Sequence, residues 1–198
     1  QKVLDYCEKS NNIRTVFITA TGKAFCAGQD LTEATAENAP SISKIIQEHY
    51  NPIIQKISIL KKPVIAAVNG VAAGAGASIA LCCDIVLAKE TATFIQAFSK
   101  IGLIPDSGAT YFLPRLIGKQ KAMALMMTAE PITGKEAADI GMIYKAYPDE
   151  LFEEESWKLA EKLSNMPTQA LALTKKLINL SYTNNLNEQL AIEEEAQK

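Results

Sequence analysis

In KPVIAAVNGVAAGAGASIALCCDIVLA, residues 62–88, two apolar runs flank a glycine-rich loop and a row of small residues. PVIAAVNG is uncharged, rich in β-branched residues and closed by Asn-Gly, so it reads as a buried strand; DIVLAKE reads as another. Between them Gly70, Gly74 and Gly76 lead into a helical run of small side chains. A strand that passes through glycines into a helix start leaves N–H groups without intrahelical acceptors, at the positive end of the helix dipole. Such groups bind a phosphate, or a carbonyl oxygen that is becoming an oxyanion. Tight helix–sheet packing selects the same small residues, so the pattern alone leaves both readings open. The order is not G-x-x-x-x-G-K-[ST] and no Lys follows the last glycine, which argues against a P-loop.

Outward from this stretch the elements alternate. IRTVFITA (13–20) has strand length and composition, and it runs into TGKAFCAGQDL, a loop in which Gly28 allows a sharp turn. Residues 41–60 carry Ile42, Ile45, Ile46, Ile53, Ile54 and Ile57, a helical stripe interrupted by Pro52. After Gly108 come ATYFLPRLIG, KQKAMALMMTAEP, TGKEAADIG and three longer helical stretches from Leu151 onward. The pattern predicts an α/β fold whose first half alternates strand, crossover helix and strand, and whose second half holds helices only. Val3, Leu4 and Cys7 read as the last turns of a helix, and LNEQLAIEEEAQK as a helix that stops without a cap. Chain is therefore expected beyond both ends, and a loop at Asn38-Ala39-Pro40.

Composition narrows the function classes. At 198 residues the chain can bury a proper core within one domain. Lys plus Arg is 20 against 22 for Asp plus Glu, a net charge of −2, which provides no electrostatic footprint for nucleic acid or an anionic membrane. Cys7, Cys26, Cys82 and Cys83 lie among apolar or small residues without metal-ligand spacing, as reduced packing residues of a cytoplasmic protein do. His49 is the single histidine, so most zinc sites are excluded and a Ser-His-Asp triad is possible only through it. No apolar run approaches the ~20 residues of a membrane span.

One acid stands out. In AFSKIGLIPDSGATYFLPRLIG (97–118) Asp106 is flanked by Leu103, Ile104, Tyr111 and Phe112. Asp before Ser and Gly is ordinary turn chemistry, and such an Asp can cap the following helix. An acid held among apolar groups is also how a carboxyl acquires a raised pKa suited to moving protons.

The segments GKAFCAGQDL, KPVIAAVNGVAAGAGASIALCCDIVLA and IGLIPDSGATYFLPRLIG, followed by ITGKEAADIGMI, together resemble the crotonase superfamily, the enoyl-CoA hydratase/isomerase fold. The resemblance spans residues 13–148. It implies a spiral of ββα turns over 1–148, a helical trimerisation region over 149–198, and a homotrimer or a dimer of trimers. It further implies an acyl-CoA thioester substrate and no cofactor, coenzyme A being part of the substrate. Carried across, it makes the main-chain N–H groups of Gln29 and Ala75 the oxyanion donors, with Ala27, Gly28 and Gly74 beside them as substrate-binding residues. Lys23 becomes a neighbour of the coenzyme A phosphates, and Phe98 and Tyr111 become acyl-pocket residues. The two glutamates with which hydratases of this family activate water would fall on Ser78 and Phe98, and neither is acidic. Asp106 falls where isomerase-type relatives carry their acid/base, which implies an acyl-CoA isomerase working through an enolate.

Two rivals belong to other classes. In the first, Asp106 is a nucleophile on an aryl-CoA, as in dehalogenase-type relatives, with His49 activating water. In the second, the chain binds acyl-CoA without catalysis.

Overall fold

The computed structural model describes residues 1–30 and 40–198, so Asn38 and Ala39 of the anticipated loop lie outside the described residues. Among the described residues, eight short strands form two four-stranded sheets. The first has the order β1 (Val16–Ile18), β3 (Val64–Val68), β5 (Ile85–Lys89), β8 (Lys145–Tyr147), all parallel. The second has the order β2 (Ala24–Cys26), β4 (Val71–Ala73), β6 (Thr93–Ile95), β7 (Ile132–Thr133), parallel except for the last pair. Each turn of the chain thus adds one strand to each sheet, and helices connect the turns: the ββα spiral expected from the resemblance.

The helices in chain order are α1 (Lys2–Lys9), α2 (Ile42–Ile45), α3 (Asn51–Ile59), α4 (Ala75–Leu81), α5 (Ala109–Thr128) and α6 (Gly134–Asp139). Then come α7 (Phe152–Ser164), α8 (Thr168–Ser181) and α9 (Leu186–Ala196). A π-helical turn, Ile46–Tyr50, joins α2 to α3, and Pro52 lies in the first turn of α3. The helix α5 is broken at Gly118, whose φ of 78° and ψ of 161° are not helical.

All five residues of β3 are fully buried, because β3 lies between β1 and β5 and is covered on both faces. That burial is why it reads as continuous apolar sequence rather than alternation. Small residues, among them Ala66, Ala72, Ala77, Ala80 and Ala88, let α4 and the sheets approach closely in the same core.

The expectation of helices only after Gly108 is corrected by β7 and β8, and the loop TGKAFCAGQDL contains β2. Strands of two or three residues are too short to show a period of two, and their neighbours in the sheet hold them extended. The tail is tied to the body by a few polar contacts. Lys175 Nζ lies 2.9 Å from Asp84 Oδ2, Asn179 donates to the carbonyl of Ser58, and Arg14 donates to Thr168 Oγ1.

Candidate functional site

The strands β2, β4 and β6 are parallel neighbours, so their carboxyl ends open on one side, where parallel sheets usually bind ligands. From these ends the chain leaves through Ala27–Gly28–Gln29, through Gly74–Ala75, and through a 3₁₀ turn, Ala97–Ile101. The three exits enclose a cavity of ≈ 420 Å³, closed on its far side by Ile42, Ile45, Ile46 and Tyr50.

Two glycines set the geometry of the first two exits. Gly28 has φ of 91°, and a Cβ there would lie 3.0 Å from the Ala73 carbonyl oxygen and 3.6 Å from the Ala75 nitrogen. The loop after β2 therefore runs against the start of α4. Gly76 packs still more closely: a Cβ would come within 2.1 Å of the Cys26 carbonyl oxygen, so no side chain fits. Neither the Gln29 nor the Ala75 N–H has a backbone acceptor among the described residues. Two unsatisfied amides thus stand on adjoining loops at the wall of one apolar cavity.

Asp106 lines the same cavity, half-buried. Burial pushes its carboxyl above the ordinary carboxylate value, and a hydrogen bond from Ser107 Oγ to Oδ1 (2.8 Å) opposes the rise only in part. The helix-cap alternative does not hold. The residue at the cap of α5 is Gly108, with no side-chain cap bond, and Asp106 contributes only its carbonyl, which accepts from the Ala109 N–H at 2.9 Å. Ser107 and Gly108 both have positive φ, 51° and 79°, and this reversal leaves the Asp106 carboxyl facing the cavity while α5 departs. A serine held in that left-handed region is a local strain of the kind found at functional sites.

The structure brings together Ala27, Gly28, Gln29, Gly74, Ala75, Phe98 and Asp106. It does not bring Lys23 or Tyr111 to them. Lys23 is exposed at the start of β2, the end opposite Gly28, and its carbonyl accepts from the Val71 N–H. Tyr111 is carried away by the reversal at Ser107 and Gly108. It lines a second groove, of ≈ 380 Å³, between the body and the tail, with the Arg115 guanidinium 3.6 Å above its ring. Ser78 is fully buried and donates to the carbonyl of Gly74, so it does not face the cavity. Phe98 does, with its ring against Gly74. His49 is exposed and is not among the residues lining the cavity that holds Asp106; it lines an adjoining groove with Pro40 and Ile53, which shares Gln29, Ile45 and Tyr50 with that cavity.

The polar group that sequence reasoning missed is Tyr50. Its phenol donates to Gln29 Oε1 at 3.1 Å. Tyr50, the last residue of the π turn, lines the cavity together with Ile42, Ile45 and Ile46. The signal available was Tyr50 itself, four residues beyond Ile46 on the Ile42–Ile46 stripe. Among the described residues no cluster of three His, Cys, Asp or Glu side chains could hold a metal ion, and no helix is long and apolar enough to cross a membrane.

Known proteins agree with this geometry. The enoyl-CoA hydratase/isomerase family profile matches residues 1–198. The 1,2-epoxyphenylacetyl-CoA isomerase of Escherichia coli is 42% identical over 198 residues, covering 98% of this chain and 76% of that protein. A Rhodobacter capsulatus protein named a probable enoyl-CoA hydratase is 44% identical over 180 residues, covering 91% of this chain and 70% of its own length. Among solved structures, an enoyl-CoA hydratase from Polaromonas superposes with a TM-score of 0.92 at 36% identity, over 98% of this chain and 77% of its own. An enoyl-CoA hydratase from Bacillus anthracis does so with 0.92 at 32% identity, over 100% of this chain and 76% of its own. With its whole length matched, its two sheets superposed and its glycine loops built around one apolar cavity, the chain is an enzyme of the enoyl-CoA hydratase/isomerase family with the crotonase fold.

Proposed function

We propose that the enzyme is an acyl-CoA isomerase in which Asp106 takes a proton from the acyl chain and returns it at another carbon. The observation that carries this reading is the arrangement of one half-buried carboxyl, Asp106, across a cavity from the amides of Gln29 and Ala75. Removing a proton beside or in conjugation with a thioester carbonyl moves negative charge onto the carbonyl oxygen. Two fixed N–H donors stabilise that charge by about 3 kcal/mol each, and they do so most when the charge is greatest. A single carboxyl with a raised pKa then serves in both directions: it accepts the proton as a base and delivers it as an acid. Coenzyme A enters as part of the substrate, and the chemistry asks for no redox cofactor.

Hydration needs a group that positions and deprotonates water. At the two places where hydratases of the family carry glutamate stand Ser78, turned into its own helix, and Phe98, which offers no polar atom. The reading with Asp106 as nucleophile needs a water-activating base, and His49 faces another groove. The similarity to the Escherichia coli enzyme favours a ring-derived aryl-CoA epoxide as substrate, with a 3-enoyl-CoA as the aliphatic counterpart; the apolar cavity suits both.

Asp106→Asn tests the assignment. It is expected to bind acyl-CoA nearly as the wild type does and to lose ~10²–10⁴-fold in kcat, the usual cost of losing general acid–base catalysis. Retention of more than a third of the wild-type kcat on 3-hexenoyl-CoA would refute it. Crotonyl-CoA hydration should be negligible beside 3-enoyl isomerisation, and comparable rates would return the chain to the hydratases.

A further inference from the structure

Among the described residues, three side chains lining the cavity carry polar groups: Gln29, Tyr50 and Asp106. Tyr50 is the only one of them that comes from the helical wall opposite the strand ends. It is the last residue of the π turn Ile46–Tyr50, whose Gln47, Glu48 and His49 are exposed. Its hydroxyl donates to Gln29 Oε1 at 3.1 Å, and Gln29 Nε2 donates in turn to the Asp30 carbonyl at 3.4 Å. The Gln29 side chain is thereby held at both ends. Burial, with further contributions from Cys26 and Asp106 nearby, raises the Tyr50 phenol above its ordinary value, so it remains a protonated donor across the working pH range.

We propose that Tyr50 is a positioning residue which, through the side chain of Gln29, fixes the direction of the Gln29 main-chain N–H toward the substrate's thioester oxygen. The inference rests on the reading of that N–H as an oxyanion donor. The loop bearing Gln29 is fixed on its strand side by Gly28 against Ala73 and Ala75, as described above; the Tyr50 hydrogen bond fixes it from the opposite wall. Oxyanion donors act by being in place before charge develops, and loosening one forfeits part of the ~10²–10³-fold in kcat that deleting it costs. Displacement by ~1 Å already degrades a catalytic geometry severely.

The test uses Tyr50→Phe, which removes one oxygen and keeps the ring. The variant should lose about tenfold in kcat on 3-hexenoyl-CoA with KM changed less than twofold, since the interaction matters most in the transition state. Butyryl-CoA labelled with ¹³C at the thioester carbonyl reports the donors directly. Its carbonyl stretch should fall on binding to the wild type and fall less on binding to Tyr50→Phe. Gln29→Met keeps the main-chain N–H and loses the acceptor, so adding Tyr50→Phe to it should cause no further loss. A wild-type-sized carbonyl shift in Tyr50→Phe, an unchanged kcat, or an equal effect of Tyr50→Phe in both backgrounds would each overturn the proposal. A wild-type enzyme that shifts the carbonyl not at all would overturn the oxyanion reading as well, an outcome distinct from these.

Discussion

Ser107 donates its hydroxyl to Asp106 from a left-handed backbone position, 2.8 Å from Oδ1, and is itself almost wholly buried. The bond favours the ionised carboxyl, while burial favours the neutral one and prevails. On the proposed role Asp106 must be ionised to accept the proton, so turnover should fall as pH drops through its raised pKa. Ser107→Ala removes the opposing bond and should move this acidic limb to higher pH. The sign for stability is the reverse of the usual carboxylate case. A folded-state pKa above the unfolded one means that the native protein binds the proton more tightly, so stability is lost as pH rises through that interval. Asp106→Asn should therefore melt at or above the wild-type temperature at neutral pH while losing turnover. A pH–rate profile unmoved by Ser107→Ala would remove Ser107 from this account.

Gly76→Ala tests the junction of α4 with β2. The added Cβ would meet the Cys26 carbonyl oxygen at 2.1 Å, and neither main chain can yield without moving a cavity wall. Overpacking of this kind costs about 1–3 kcal/mol. Gly22→Ala is the control: it meets nothing within 4 Å, so only the strain of φ at 82° remains. Denaturant melts should rank Gly76→Ala well below Gly22→Ala, and equal midpoints would contradict the close approach.

The pair Lys175–Asp84 fastens α8 to the start of β5. Asp84 also accepts from the Val64 N–H at 2.8 Å, and burial pushes its carboxyl up against the pull of the lysine. In Lys175→Met the acid loses its cation and keeps its burial. A loss of about 1.5–3 kcal/mol is expected, the range for hydrogen bonds to charged groups, together with faster amide exchange in α8. A stability within ~0.5 kcal/mol of wild type would make the pair an ordinary surface contact.

Assembly is the fourth prediction. Trp157 is 59% exposed, Ile178 57%, Leu186 72% and Leu190 53%, and neither α8 nor α9 has a buried residue. Apolar faces of this kind call for a partner, and the family resemblance supplies the number three. Light scattering at micromolar concentration should give a trimer or a multiple of it, and Leu186→Glu with Leu190→Glu should shift it toward the monomer. A monomeric wild-type enzyme would refute this.

What the sequence disclosed follows the length and covering of each element. The fully buried β3 and the long amphipathic α7 were plain, because uninterrupted burial and helical stripes leave strong patterns. The glycine loops were legible because close approach of two main chains excludes side chains, and Gly28 and Gly76 record that exclusion directly. The short strands β2, β4, β6, β7 and β8 were silent, since pairing and not composition extends them. The side-chain assignments failed where the backbone changes direction unexpectedly. Two left-handed residues carry Tyr111 out of the cavity.

The last pair of the second sheet has a consequence of its own. A spiral that lays one strand on each sheet per turn contains no internal reason to stop, and its final edge would offer a template for strands of another molecule. Here β7 is two residues long and runs opposite to β6, and the capping box of Thr133 with Glu136 turns the chain at once into α6. An incoming strand finds almost no ladder to continue. Growth of the second sheet through this edge is denied.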